Sequence, residues 1–175
     1  VEITACSDTG SEAADKGIGD REVASREVTN RIECFKAGCR SAGVKLTHQR
    51  LEIFREIAAS QEHPDAEAIM RAVQPRMPTV SMDTVYRTLW LLNDLGLIST
   101  LVPRQTSIRF DANLAVHHHF TCIRCGMIRD FESPELDTLA LPEGVRHMGS
   151  IVSTRIEVRG ICDSCHASQS LTGSA

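Results

Sequence analysis

Apolar positions recur at helical spacing through the middle of the chain and at alternating spacing further on, so two kinds of structure are predicted in succession. In "HQRLEIFREIAA" Leu51, Phe54 and Ile57 share one face, and Thr47 is placed to close the first turn as N-cap. "HPD" interrupts the pattern. Asp65 can then cap "AEAIMRAVQ", whose Ile69, Met70 and Val73 point inward. After the proline-bearing turn "PRMPTV", Ser81 caps "MDTVYRTLWLLNDL", with Val85, Leu89 and Leu92 facing a core and Gly96 ending the helix. An earlier helix is predicted to start near Thr29 or Asn30 and stop by Gly43. "LISTLV" and "SIRF" read as two strands joined by "PRQT".

Short helices followed by a two-stranded hairpin match the winged helix-turn-helix, in which the last helix enters the DNA major groove and the hairpin is the wing. A small α+β domain without DNA binding fits the same pattern. Beyond Ala112 the texture changes. "HHHFTC" and "MIRDF" predict short strands around the knuckle "CIRCG", "SPELDTLA" a short Ser-started helix, and "GSIVSTRIEVRGIC" a strand running into the second knuckle, "CDSCH". The fold class expected is α+β: a tail over residues 1–28, a winged-helix domain over 29–110 and a small α/β domain over 111–175.

Composition changes this picture in three ways. The 175 residues are 42% hydrophobic but only 4% aromatic, so the core must rest on aliphatic side chains. No apolar run approaches the roughly 20 residues of a membrane helix, and the N-terminus has no basic-then-apolar signal pattern, so a cytoplasmic protein is expected. Seven cysteines, with two C-x-x-C pairs, then favour metal over disulfides. Net charge is −4, but unevenly spread. Residues 1–39 carry 5 basic and 8 acidic groups, residues 40–104 carry 8 and 7, and residues 105–175 carry 6 and 8. Only the middle is net positive, and mildly, so charge gives DNA binding little support. The first 28 residues, small, polar and acidic, read as a disordered tail.

The strongest chemical signal is the cysteine spacing. Cys122 and Cys125, then Cys162 and Cys165 after 36 intervening residues, supply two tight turns with two thiolates each. Four sulfurs at the corners of a tetrahedron suit Zn²⁺, and a closed four-ligand site is structural rather than catalytic. A redox pair would need no second C-x-x-C. The adjacent histidines obey strand alternation. His117 and His119 point to one face and His118 to the other, so they belong to a second metal site rather than to the zinc. Two imidazoles are an incomplete set. Asp111 at the end of the wing strand, Asp130 after the knuckle and His63 in an exposed "EHPD" turn are the donors available, each also readable as an ordinary surface residue.

Taken together, "VKLTHQRLEIF", "HPDAEAIM", "SMDTVYRTLWLLNDLGLI", "RFD", "HHHFTCIRCGMIRDF" and "RGICDSC" resemble the ferric uptake regulator (Fur) superfamily of metal-dependent bacterial repressors, over residues ~30–166. That resemblance implies a homodimer, formed through the C-terminal domain, on palindromic A/T-rich operator DNA. The helix from Ser81 to Leu95 would be the recognition helix, with Ser81, Thr84, Tyr86 and Arg87 at the DNA and Lys45 reaching the minor groove. His63, Asp111, His117, His119 and Asp130 would hold a regulatory ion between the domains. Three imidazoles and two carboxylates without a thiolate suit Fe²⁺ or Mn²⁺. Aspartate in both "RFD" and "IRDF" resembles the peroxide-responsive (PerR) branch, where bound Fe²⁺ reacts with hydrogen peroxide, a ligand histidine is oxidised, and the repressor leaves DNA. By match the oxidised residues would be His63 and His117. Such a protein is a sensor and not an enzyme.

The match has gaps. Many iron-sensing relatives carry histidine eight residues before the second knuckle; here that residue is Thr154, which puts an auxiliary metal site in doubt. His118 stands where aspartate can occur and is expected to be exposed. His48, His147 and His166 have no assigned partner, and Cys6, Cys34 and Cys39 are thiols outside the zinc set. Three rival readings stand beside peroxide sensing: an iron-responsive repressor of the same family, a non-haem iron metalloenzyme, and a zinc-ribbon module that binds only protein.

Overall fold

Three helices begin where a side-chain oxygen closes the first turn. In this computed structural model, which describes residues 20–102, 107–151 and 153–170, Thr47 accepts from the Arg50 N–H at 3.3 Å and starts α2 (His48–Ala59). Asp65 accepts from the Ala68 N–H at 2.8 Å and starts α3 (Ala66–Val73). Ser81 accepts from the Thr84 N–H at 3.2 Å and starts α4 (Met82–Asp94). Each cap satisfies a backbone donor that the helix itself leaves free. Burial raises the Asp65 carboxyl, but the Ala68 N–H, the Ser107 hydroxyl and the nearby arginines outweigh it and hold the acid below its usual range. Helix α4 ends at Gly96, whose φ of +65° closes the turn as the Leu97 N–H donates to the Leu92 carbonyl at 2.9 Å.

Helix α1 (Asp20–Ser41) precedes these and begins well before the start expected near Thr29. The weak apolar period of its first turns hides it from a pattern search. The tail before Asp20, with Cys6, and the "PRQT" connection lie outside the described residues. Of the other spare cysteines, Cys39 is a buried free thiol, whereas Cys34, read as a thiol, is disulfide-bonded.

The chain divides into two compact units, Val1–Ala115 and Val116–Ala175. In the first, α1 to α4 enclose a core in which Ile53, Ile69, Val73, Val85, Leu89 and Leu92 are fully buried. Phe35 of α1 stacks on Phe54 of α2 at 4.3 Å. Each such side chain contributes roughly 1.5–3 kcal/mol by leaving water. The hairpin is β1 (Ser99–Leu101) against β2 (Arg109–Asp111), antiparallel, with Ser99 opposite Asp111. Four helices and this hairpin make the expected winged helix-turn-helix. Among the described residues no helix is long and apolar enough to cross a membrane.

Carboxylates are buried inside this unit too, Glu52 among them. Glu52 is 5% exposed and meets Arg55 on its own helix and Arg76 Nε at 3.0 Å, while Arg76 also reaches Glu56. Burial raises the Glu52 carboxyl, but hydrogen bonds from the two arginines more than reverse it, and the net displacement is downward. A depressed carboxylate stabilises the fold above its unfolded pKa, and that stabilisation is lost as pH falls through the folded value. Glu52→Gln is therefore expected to cost about 1–3 kcal/mol in urea unfolding at neutral pH. The gap to the parent protein should close as the buffer is acidified through the carboxylate range. A constant gap would assign the cost to packing.

The second unit is a three-stranded sheet of order β4-β3-β5. Strand β3 (His118–Cys122) pairs antiparallel with β4 (Ile128–Phe131) and parallel with β5 (Glu157–Gly160). Helices α5 (Pro134–Asp137) and α6 (Glu143–Arg146) lie between β4 and β5 in the chain, and α7 (Asp163–Ser170) carries the second knuckle. Ser133 caps α5 as expected, while α6 and α7 have no counterpart in the sequence pattern. Among the described residues of this unit, Cys122 and Ile128 are the only buried hydrophobic ones. So thin a core needs help from a cross-link or a partner.

Candidate metal centres

The knuckles bring four sulfurs together. One Sγ from each of Cys122, Cys125, Cys162 and Cys165 lies within 4.8 Å of the others, and Cys125 and Cys162 are 3.7 Å apart. A tetrahedron with Zn–S bonds of about 2.3 Å has edges of about 3.8 Å, so the spacing fits zinc. Charge fits as well. Backbone N–H groups, first that of Cys125 and then that of Cys162, lower the Cys122 thiol to about 6. The neighbouring sulfurs, Cys162 first and then Cys125, push Cys165 up to about 12. One thiolate thus forms readily and resists a second, until a divalent cation neutralises the group. The backbone explains the convergence. Cys122 ends β3, the Cys122 N–H donates to the Met127 carbonyl at 2.8 Å, and Gly126 turns the first knuckle with a φ of +71°. The Ile123 N–H reaches the Gly160 carbonyl at 2.8 Å and holds the second knuckle alongside.

Nitrogen and oxygen donors form two further groups, one in each unit. In the second unit alternation along β3 holds: His117 and His119 face one way, with Nε2 atoms 3.0 Å apart and rings 4.6 Å apart. Both are buried. Asp130, opposite His119 on β4, brings Oδ1 to 3.5 Å from His119 Nε2 and 3.8 Å from His117 Nε2. Two imidazole edges and a carboxylate thus converge, and no sulfur joins them. This donor set fits a borderline or hard divalent cation.

His118 corrects the expectation of exposure. It is 1% exposed, with Nε2 3.1 Å from Asp137 Oδ1 and its ring 5.4 Å from Phe131. It does point away from His117 and His119, but α5 covers that face too. Alternation assigns a face and is silent on what lies over it.

In the first unit His63 is also buried, at 3% exposure, where the "EHPD" turn was expected to be open to water. Its Nε2 lies 3.9 Å from Asp111 Oδ1 on β2, and Asp111 is itself 4% exposed. The same Oδ1 accepts from the Asn113 N–H at 2.7 Å. An imidazole and a carboxylate this buried and this close could both serve as donors to a cation.

Among the residues considered for DNA, Tyr86 and Arg87 stand exposed on α4, and Arg87 pairs with Asp83 at 2.8 Å one turn away. Both partners are largely solvated, so the pair is worth little and is open to exchange for a phosphate. The Ser81 hydroxyl caps α4 and lies 2.9 Å from Thr84 Oγ1, so both hydroxyls already serve the helix start. Lys45 is exposed, and its carbonyl accepts from Arg50. Trp90 was not anticipated. It is 43% exposed on α4, with its ring edge-on to Phe110 at 6.3 Å, and Phe110 adjoins Asp111 on β2. In the sequence it is one apolar residue among several in a helical stretch.

Comparison with known proteins agrees with this architecture. Residues 41–159 match the model of the ferric uptake regulator family. The chain is 37% identical over 130 residues to a peroxide-responsive repressor PerR of Staphylococcus epidermidis, covering 74% of this chain and 86% of that protein. Identity to a PerR of Staphylococcus aureus is also 37%, over 131 residues, covering 74% and 87%. A solved zinc-bound manganese uptake regulator is 30% identical with a TM-score of 0.57, covering 73% of this chain and 97% of that one. The ferric uptake regulator Fur of Helicobacter pylori, described with three functional metal-binding sites, shares the fold at 23% identity and a TM-score of 0.63, covering 79% and 93%.

Proposed function

Because the chain belongs to the ferric uptake regulator family, we propose that it is a metal-dependent transcriptional repressor whose grip on operator DNA is set by Fe²⁺ or Mn²⁺ and ended by hydrogen peroxide. The observation carrying this reading is the pair of sulfur-free donor groups: the buried His117 and His119 facing Asp130, and the buried His63 beside the buried Asp111. Each group alone is too small to hold an ion tightly. We assign all five residues to one regulatory ion, so that binding favours the single arrangement of the two units in which they converge. That arrangement would space two copies of α4 for a palindromic, A/T-rich operator, with Tyr86 and Arg87 at base and phosphate, Ser81 and Thr84 at the helix start and Lys45 at the minor groove. The four cysteines would keep Zn²⁺ as a permanent brace.

The second unit supports a homodimer. Leu139, Met148, Ile151 and Val158 are exposed on a unit whose described residues form almost no apolar core, and β5 is an edge strand among the described residues. Covering that surface with a second copy would bury the side chains and give the two-fold symmetry of a palindrome. As a DNA reader the protein would work in the cytoplasm.

Fe²⁺, when bound, would supply the redox chemistry by which hydrogen peroxide oxidises an imidazole C–H, one peroxide oxygen going to the ring and the other leaving as water. The chain's own part would be to hold the ion through the ring nitrogens of His63, His117 and His119 and the carboxylates of Asp111 and Asp130. An oxygen added to His63 or His117 would weaken that residue as a ligand, and with the ion lost the grip on DNA would go. The protein is modified once and does not turn over, which makes it a sensor rather than an enzyme. A peroxide pulse on the Fe²⁺-loaded protein should add one oxygen atom to the peptide containing His63 or His117, while Mn²⁺-loaded protein keeps its mass. If Fe²⁺-loaded protein also keeps its mass and its hold on DNA, the protein senses iron alone.

A further inference from the structure

His63 is the only non-glycine with positive φ among the described residues, at +50°. It also precedes Pro64, which narrows its backbone choices further. A bulky residue stays in so sparsely populated a conformation only when its surroundings hold it. What holds it is β2, through the His63 carbonyl and the two residues that follow. The Phe110 N–H donates to the Pro64 carbonyl at 3.1 Å, and Arg109 Nη1 approaches the His63 carbonyl at 3.4 Å. Asp65 and Arg109 form an isolated antiparallel bridge.

Asp65 joins these pieces. One carboxylate oxygen caps α3 through the Ala68 N–H, and the other accepts from the Ser107 hydroxyl at 2.9 Å. The residue two places after His63 is thereby tied to the segment that leads into the strand carrying Asp111. A cap needs only the first of these bonds. The second, across 42 residues, does nothing for the helix but fixes the distance between the "HPD" turn and the hairpin.

We propose that Asp65, with Ser107 and Arg109, is a clasp that sets the spacing of His63 and Asp111 before a cation arrives, making Asp65 a positioning residue for the regulatory metal. The inference rests on the assignment of His63 and Asp111 as ligands. Residues that orient metal ligands without touching the ion usually change affinity by ten- to a hundredfold.

The test uses the full zinc-loaded chain and Mn²⁺ as probe, with free Mn²⁺ read by electron paramagnetic resonance. Asp65→Ser keeps an N-capping oxygen but cannot also reach Ser107; Ser107→Ala removes only the hydroxyl. Asp65→Ser should weaken Mn²⁺ binding about tenfold, and Ser107→Ala severalfold, with metal-free melting temperatures near the parent value. At saturating Mn²⁺ operator affinity should return. His63→Ala separates the two levels. If it weakens Mn²⁺ binding while Asp65→Ser and Ser107→Ala do not, the clasp is wrong and the ligand assignment stands. If His63→Ala has no effect, the assignment fails and the clasp with it. Loss of Mn²⁺ affinity matched by an equal loss of metal-free stability would make Asp65 a helix cap only, which also overturns the proposal.

Discussion

Replacing Cys162 with serine is expected to abolish zinc binding and, with it, the folded second unit. The parent chain should carry about one zinc, and the variant close to none, because a structural site with three thiolates left has lost both its tetrahedral closure and a share of its negative charge. The consequence for the fold follows from how little else this unit buries. Its described residues place only Cys122 and Ile128 in an apolar interior, and its other buried groups are His117, His118, His119 and Thr121, which are polar. A set of that kind cannot offset the backbone entropy of ordering a sheet of three short strands. Without zinc, β3 and β5 lose the link between their C-terminal ends, where the Cys122 and Cys162 knuckles leave the sheet. Circular dichroism and melting should show the helical unit intact and the second transition gone, with association lost in sedimentation. Cys39→Ser is the control, since that buried thiol lies in the other unit's core and outside the sulfur cluster. Zinc uptake by metal-free protein should also release protons and weaken as pH falls, because thiols must ionise to ligate. A Cys162→Ser chain that kept one zinc and a folded second unit would refute the structural role given to the cluster.

Replacing His119 with alanine is expected to leave zinc in place and remove the response to Fe²⁺ and Mn²⁺. His119 lies between His117 and Asp130 in the second-unit donor group, 3.0 Å from one and 3.5 Å from the other. On the proposed assignment its loss takes a ligand, not an orienting neighbour, so Mn²⁺ affinity should fall by at least the upper end of what orienting neighbours cost, about 100-fold. Linkage carries the loss to DNA. If the cation strengthens operator binding, then weakened cation binding must demand proportionally more Mn²⁺ for the same occupancy. A mobility-shift titration of Mn²⁺ at fixed protein and operator measures this directly. His118→Ala supplies the contrast within the same tripeptide. His118 faces Asp137 and Phe131 on the other side of the sheet, so its removal should lower the stability of the second unit and leave Mn²⁺ affinity near the parent value. Equal losses of affinity in the two variants would show that the sheet, rather than a ligand, had been disturbed.

What was legible in the chain follows the range of the interactions involved. Helices α2, α3 and α4 were readable with their caps, because Thr47, Asp65 and Ser81 act on N–H groups three residues away and the buried faces repeat every turn. The cysteine pairs were readable because a two-residue turn must place both sulfurs on one side. Alternation separated His117 and His119 from His118, since a strand permits nothing else. The rest depended on contacts between distant residues. Burial of His118 required α5 to lie over its face of the sheet, and burial of His63 required β2 to return beside its turn. Asp65 was visible as a cap and invisible as a clasp, for its second oxygen meets a serine 42 positions on. Local periodicity and spacing therefore determined which side chains could act and which way most of them faced. Tertiary structure alone decided which faces were covered and which distant groups met, because solvent exclusion and long-range hydrogen bonds belong to the packed chain and leave no period in its sequence.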